Sequence, residues 1–389
     1  MRLWKTAKNA AVPLGCAVML AGLIAYPSGS VEAAKRGLDI CLELIIPSLF
    51  PFFVLSSMAI ELGLAGILGK AAAPLMRRLF RLDGTCALPF LLGFIGGYPV
   101  GARAAISMYG RGELSKGDAE RLLAFCNNSG PAFILGVVGA GVFRDSEAGL
   151  LLYLVHFISS VIVGLLFRGC RPGCVPAASE KAKDAPAEKK RFGKVVTSGV
   201  SGAFSSVLGI CGFVVFFSVV IKLLVISGLI PAAAGGVAFV LGPLGVKAAT
   251  AEELISGMIE MTSGVSALRG AAGSLGKNAV MAAFMLGWAG LSVHFQVLSF
   301  LAETGLSSKT YILGKLLHGV VSALLAALVF SFYSPSADVA LVIADEIGAL
   351  SAVRAPRAAL LSLTGALPLA PLFAAAAIKR AREARRLLK

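Results

Sequence analysis

Apolar runs of about twenty residues return along the whole chain, and no long polar stretch separates them. A helix needs about that length to cross a hydrocarbon core roughly 30 Å thick. Within lipid every main-chain N–H and C=O has to be satisfied by the protein itself, so such runs fold as helices and not as open strands. The suitable segments are residues 10–26, 38–62, 122–143, 148–167, 205–230, 279–301, 310–332 and 358–378. The expected fold is therefore an all-α integral membrane protein with about eight transmembrane helices. The first run follows Arg2, Lys5 and Lys8 and precedes "SVEAA". Its length, with another run close behind, favours an anchor helix over a cleaved signal peptide.

Of the 389 residues, 57% are hydrophobic and 15% charged, so no polar region remains for a soluble catalytic domain. The net charge of +15 does not point to nucleic acid, because the basic residues lie in short loops and at the ends, where they set topology. Four basic segments stand out: the N-terminus, "KAAAPLMRRLFR" (70–81), "EKAKDAPAEKKRFGK" (180–194) and the tail "KRAREARRLLK" (379–389). All four fall on the cytoplasmic side, with both termini inside, only if "GFIGGYPVGARA" (93–104) enters and leaves on that same side. A backbone broken by glycine and proline at membrane depth has to be surrounded by protein or a watery cavity. This stretch is expected to be a re-entrant hairpin, with a kinked full span as the alternative.

Histidine is rare, with three in the chain, and two of them sit at matching places in similar spans. "LLYLVHFISSVIVGLLF" (151–167) and "GKLLHGVVSALLAALVF" (314–330) place His156 and His318 162 residues apart. An offset of about that size pairs "FFVLSS" (52–57) with "VVFFSV" (214–219), "YPVGARA" with "EMTSGVSA" (260–267), and "AFCNNSGP" (124–131) with "AFMLGWAGLSVH" (283–294). Each half has the order span, broken hairpin, span, span, and the charge pattern gives the halves opposite orientation. Two re-entrant hairpins in an inverted repeat are the mark of carriers whose site opens to either side. The organisation expected is an anchor helix (1–37), a first repeat (38–179), a cytoplasmic linker (180–194), a second, inverted repeat (195–334) and a C-terminal loop, helix and basic tail (335–389).

Polar groups inside spans need a partner, a cavity or a solute. "FCNNSGP" puts Asn127, Asn128 and Ser129 before a Gly-Pro pair, which unwinds the helix and frees main-chain groups for a ligand; interhelical hydrogen bonding is the plainer alternative. Around the first hairpin the candidates are Tyr98, Pro99, Gly101 and Arg103, and at the second Glu260, Thr262 and Ser263. In "GLSVHFQV" the alternation of Ser292, His294 and Gln296 suits a locally extended strand. Arg103 and helix N-termini would meet an anion, unless Arg103 snorkels to lipid phosphate. His156 and His318, on apolar faces, read as satisfied structural histidines.

The seven cysteines are odd in number, lack C-x-x-C spacing and behave as small hydrophobes; "RGCRPGC", with Cys170 and Cys174, suits a reducing edge better than a disulfide. No phosphate-binding loop, zinc-protease or serine-hydrolase motif is present, so no enzyme, metal or cofactor is implied. Glu260 with His294 is the sole acid–base pairing to consider.

"GGYPVGAR", "GRGELSKGDAERLLAFCNNSGP" and "GLSVHFQV" together resemble the sporulation integral membrane proteins of spore-forming Firmicutes, which carry paired nucleoside-recognition (Gate) domains. The resemblance runs over nearly the whole chain, with the termini unusually rich in Ala and Gly. It implies a late sporulation role in the cell membrane around the forespore, and transport of dipicolinic acid from mother cell toward forespore. A non-transporting membrane scaffold and a nucleoside-type carrier are the alternatives. Expected partners are membrane lipid and a small-molecule anion, with a homo-oligomer left open and nucleic acid excluded.

Overall fold

The computed structural model describes residues 2–62, 64–169, 192–242, 246–269 and 274–333, and every regular element among them is helical. Helix α1 (Arg2–Ala25) stops at Tyr26, and Pro27 opens the next helix, where a missing N–H has no consequence. From there a nearly continuous rod runs through α2 (Pro27–Ile40), a wide π-type turn (Cys41–Ile45) and α3 (Ile46–Glu61).

Helix α4 (Leu64–Leu75) continues to Phe80, and the chain then bends by 113° into Gly84–Gly96. Asp83 caps the new start by accepting from Thr85 N at 2.8 Å. Helix α5 (Ala87–Gly96) folds back through Gly97–Pro99 into α6 (Val100–Gly110), making the first hairpin. Helix α7 (Lys116–Leu123) breaks over residues 124–131 and resumes as a π-type helix at Ala132–Phe143. Asp145 caps α8 (Ser146–Leu166) by accepting from Ala148 N.

The second half repeats this order. Helix α9 (Phe192–Ile226) packs along α2 and α3. Helices α10 (Leu229–Leu241) and α11 (Ala248–Ile259) lead to Glu260, and α12 (Met261–Ala267) returns as the second hairpin. Helix α13 (Leu275–Trp288) breaks at Ala289, which has φ +77°, and continues as α14 (Gly290–Leu301). Helix α15 (Ser308–Ser331) closes the described chain, lying along α13 and against α8.

Two expectations change. Among the described residues five helices are long and apolar enough to span a membrane, or six counting the bent pair Ile67–Phe80 and Gly84–Gly96, while the eight read from hydropathy include a run outside them. The run 122–143 is apolar but not one span, because residues 124–131 leave the helix. In the first run the apolar helix is only Pro13–Ala25, and the run 358–378 lies outside the described residues, as do Cys170 and Cys174. Ser292, His294 and Gln296 do not form a strand. They sit within α14, because the backbone distortion falls earlier, at Ala289 and Gly290, and a helix started there has all its later amides paired.

Close helix crossings hold the interior together, as expected where lipid removes the hydrophobic drive between helices. Gly139 and Gly149 meet main chain to main chain, and so do Gly287 and Gly319. The outer faces of α9 and α15 present Phe204, Leu208, Phe216, Leu324 and Leu328 outward, an apolar surface suited to acyl chains.

Candidate functional site: a cavity between two hairpin tips

Gly97 stands at the first hairpin tip with φ +69°, a conformation that a side chain strains. Just along the arms, a Cβ on Gly93 or on Gly101 would overlap the carbonyl oxygen of Cys126, so the hairpin and the helix break are fitted backbone to backbone. Gly97 and Gly130 complete that contact, with Gly97 N 3.2 Å from where a Gly130 Cβ would stand. The glycines predicted to break a span therefore allow the hairpin tip to press on the unwound "CNNSGP" segment.

The second tip is built differently. Glu260 ends α11 and caps α12, its Oε1 accepting from Thr262 N at 3.1 Å and its Oε2 from Ser263 N at 2.6 Å. Both hairpins are pinned to α13: Tyr98 OH donates to the main-chain oxygen of Leu286, and Trp288 Nε1 donates to that of Met258 at 3.0 Å.

Between the tips lies a cavity of about 50 Å³. Its polar wall is formed by Tyr98, Ser129, Glu260, Thr262, Ser292 and Gln296, and its apolar wall by Phe52 and Phe53 of α3, Phe133, and Ile210 and Phe213 of α9. Both hairpin tips, the first helix break and α14, the helix that follows the second break, reach this one space. Ser292 and Gln296 are four apart on α14 and so share the face turned to it.

Six of the thirteen sequence-predicted residues line the cavity, and seven do not. Pro99 precedes α6, and Gly101 lies under Cys126. Arg103 is exposed, its guanidinium 5.8 Å from the ring centre of Phe300. Asn127 Nδ2 donates to Tyr311 OH at 3.3 Å, and Asn128 Nδ2 to Phe125 O at 2.8 Å, both fully buried behind the wall. Ser263 faces Ser218, with the hydroxyls 3.3 Å apart. His294 pairs its Nδ1 with Tyr311 OH at 2.9 Å and packs on Trp288, so it does not meet Glu260 as an acid–base partner.

Sequence reasoning missed Lys315. Its side chain is fully buried on α15 and donates to Asn127 O at 2.8 Å, to Tyr98 OH at 3.4 Å and to His318 Nδ1 at 3.3 Å. Its ammonium also lies 5.1 Å from the Tyr98 ring centre. Among the described residues it has no ion pair. The signal was present: Tyr311, Lys315 and His318 fall at i, i+4 and i+7, one face of an otherwise apolar helix. The aromatic side of the cavity was also missed, since phenylalanines in apolar spans carry no mark of their own.

A nucleoside-recognition (Gate) family model matches residues 42–165, which hold the first hairpin and the first helix break. The sporulation integral membrane protein YlbJ of Bacillus subtilis (strain 168) is 32% identical over 332 residues, 80% of each chain. Among solved structures, a single-residue variant of CNTnw in the intermediate 2 state is similar with a TM-score of 0.55 at 15% identity, over 86% of this chain and 87% of that one. CNTnw in an inward-facing substrate-bound state gives 0.53 at 16% identity, over 84% and 86%. At such identities the likeness is one of fold.

Proposed function

Because this chain belongs to the family of sporulation integral membrane proteins, we propose that it is a carrier that moves a small aromatic solute across the membrane around the forespore, with both termini in the cytoplasm. One observation carries this reading: two hairpin tips, one from either half, enclose a single cavity together with the first helix break and the helix that follows the second. A scaffold has no use for such a space, whereas a carrier needs a site that either repeat can uncover. The fold shared with CNTnw, a protein seen in intermediate and inward-facing states, supports the same reading.

The walls suggest the class of solute. Phe52, Phe53, Phe133 and Phe213 suit a flat ring, and Ser129, Thr262, Ser292 and Gln296 suit its polar edge. The starts of α6, of Ala132–Phe143 and of α14 stand beside the cavity and favour negative charge. Dipicolinic acid, a ring with two carboxylates, fits these features, travelling from mother cell toward forespore. Glu260 then holds a proton when it faces a carboxylate, since two bare carboxylates repel.

Glu260 also favours a second reading. As a carboxylate in the cavity wall with lone pairs beyond the two that cap α12, it would accept from an N–H or O–H of a neutral, nucleoside-like solute. Proteoliposomes containing the purified full chain, offered labelled dipicolinate or labelled uridine, separate the two. Uptake of dipicolinate with no competition from uridine supports the first; the reverse pattern supports the second, and uptake of neither overturns the carrier reading for these solutes.

A further inference from the structure

Lys315 is the buried cation that the cavity's own chemistry leaves unexplained. Its nearest polar neighbours come from several elements, and their hydrogen positions are constrained. His318 Nε2 lies 3.1 Å from His156 O, which only accepts, so Nε2 carries the proton and Nδ1 offers a lone pair. Ser129 N donates to His156 Nε2 at 3.0 Å, so that nitrogen is also an acceptor. Tyr98 OH gives its own hydrogen to Leu286 O and accepts through its oxygen. Lys315 therefore faces three acceptors, Asn127 O, Tyr98 OH and His318 Nδ1, and an ammonium has three hydrogens to give.

The remaining titratable groups near it are Cys126 in the first break, His156 on α8, His294 on α14 and Tyr311 on its own helix. From α7, Glu120 reaches only the start of α15, at Ser307 N, and Lys277 lies at the far end of α13. Among the described residues no carboxylate compensates the amine. A buried ammonium is tolerated only while its hydrogens are bonded. Two of its three acceptors belong to the first repeat, one at the hairpin tip and one at the helix break, and Tyr98 itself lines the cavity.

We propose that Lys315 is the proton-binding site of this carrier, and that its charged form holds the first hairpin tip and the first helix break docked on α15. Movement of either element strips the ammonium of an acceptor and drives off its proton; loss of the proton frees the tip in turn, because such coupling is reciprocal. The step is a plain proton transfer: an N–H bond of the ammonium breaks, the pair stays on nitrogen, and the proton passes to water entering the cavity. The coupling rests on the carrier reading above, but the docking does not depend on which solute is moved.

The test follows the hairpin itself. In the purified full chain in detergent, hydrogen exchange at residues 97–103 is measured across pH and corrected for intrinsic exchange. In the wild type, protection of this segment is expected to fall about tenfold as pH rises through the titration of Lys315. Lys315→Gln, which carries no proton at any pH, and Lys315→Arg, which keeps its charge, are both expected to show protection independent of pH. Should Lys315→Gln fail to fold, Lys315→Arg decides alone. A wild type without pH dependence, or a variant that keeps it, overturns the proposal. No solute is present, so the result stands apart from uptake assays.

Discussion

His318 Nε2 donates to the main-chain oxygen of His156 at 3.1 Å, and the two rings lie 4.4 Å apart at 31°. The residues occupy equivalent places in the two repeats, so the contact joins the halves at their common centre. His156 in turn receives Ser129 N from the cavity wall, and His318 receives Lys315. The expectation of satisfied structural histidines describes their bonds in part, since His156 Nδ1 has no partner among the described residues.

Breaking this contact is expected to destabilise the whole fold. His318→Phe keeps the ring but removes the second donor to His156 O and leaves one hydrogen of Lys315 without a partner, at about 1–3 kcal/mol for that buried group. Unfolding of the purified protein in detergent should shift accordingly, with His318→Gln recovering part of the loss. An unchanged midpoint for the phenylalanine variant would show that water replaces the ring.

Glycines at the first hairpin should differ sharply in tolerance. Gly101→Ala places a methyl group on Cys126 O and 2.8 Å from Gly93 Cα, and overpacking of this kind costs about 1–3 kcal/mol or more. Gly110→Ala, at the exposed end of α6 with nothing within 4 Å, should be neutral or stabilise by up to about 1 kcal/mol. Paired thermal melts decide; equal effects would mean that the hairpin does not press on the helix break.

Solute handling should follow the cavity wall and not the most conspicuous charge. Gln296→Leu is expected to lower solute uptake by proteoliposomes about tenfold with little change in abundance, because among the described residues the amide's sole bond is a 3.3 Å contact to Ser292 O on its own helix. Arg103→Ala should leave uptake within about twofold, its loss being an exposed contact with Phe300 worth ~0.5–1 kcal/mol. A reversed ranking would move the site to the outer end of the hairpin.

Opposite orientation of the repeats has a direct assay. With all other cysteines removed, Arg111→Cys and Arg269→Cys, both exposed beyond their hairpins, should react with an impermeant thiol reagent from opposite faces of the membrane, Arg111→Cys from the cytoplasm. Labelling of both from one face would rule out an inverted repeat.

The chain's hydropathy by itself determined that the molecule is helical and lies in a membrane, since lipid admits few other solutions for runs of this length. The 162-residue offset likewise made the repeat legible, because duplication leaves its register in rare residues such as His156 and His318. Breaks were visible where glycine and proline announce them, as at residues 93–104 and 124–131. The break at Ala289 was hidden, since alanine favours a helix and only packing holds it at positive φ. Which polar residues face the cavity was decided by tertiary structure alone. Asn127 and Asn128 are neighbours in sequence of Ser129, yet the unwound backbone turns the first two into the core and the third to the cavity. Lys315 shows the same limit: its meaning comes from Asn127 O and Tyr98 OH, 188 and 217 residues away, brought within hydrogen-bonding reach only when the two repeats close on each other.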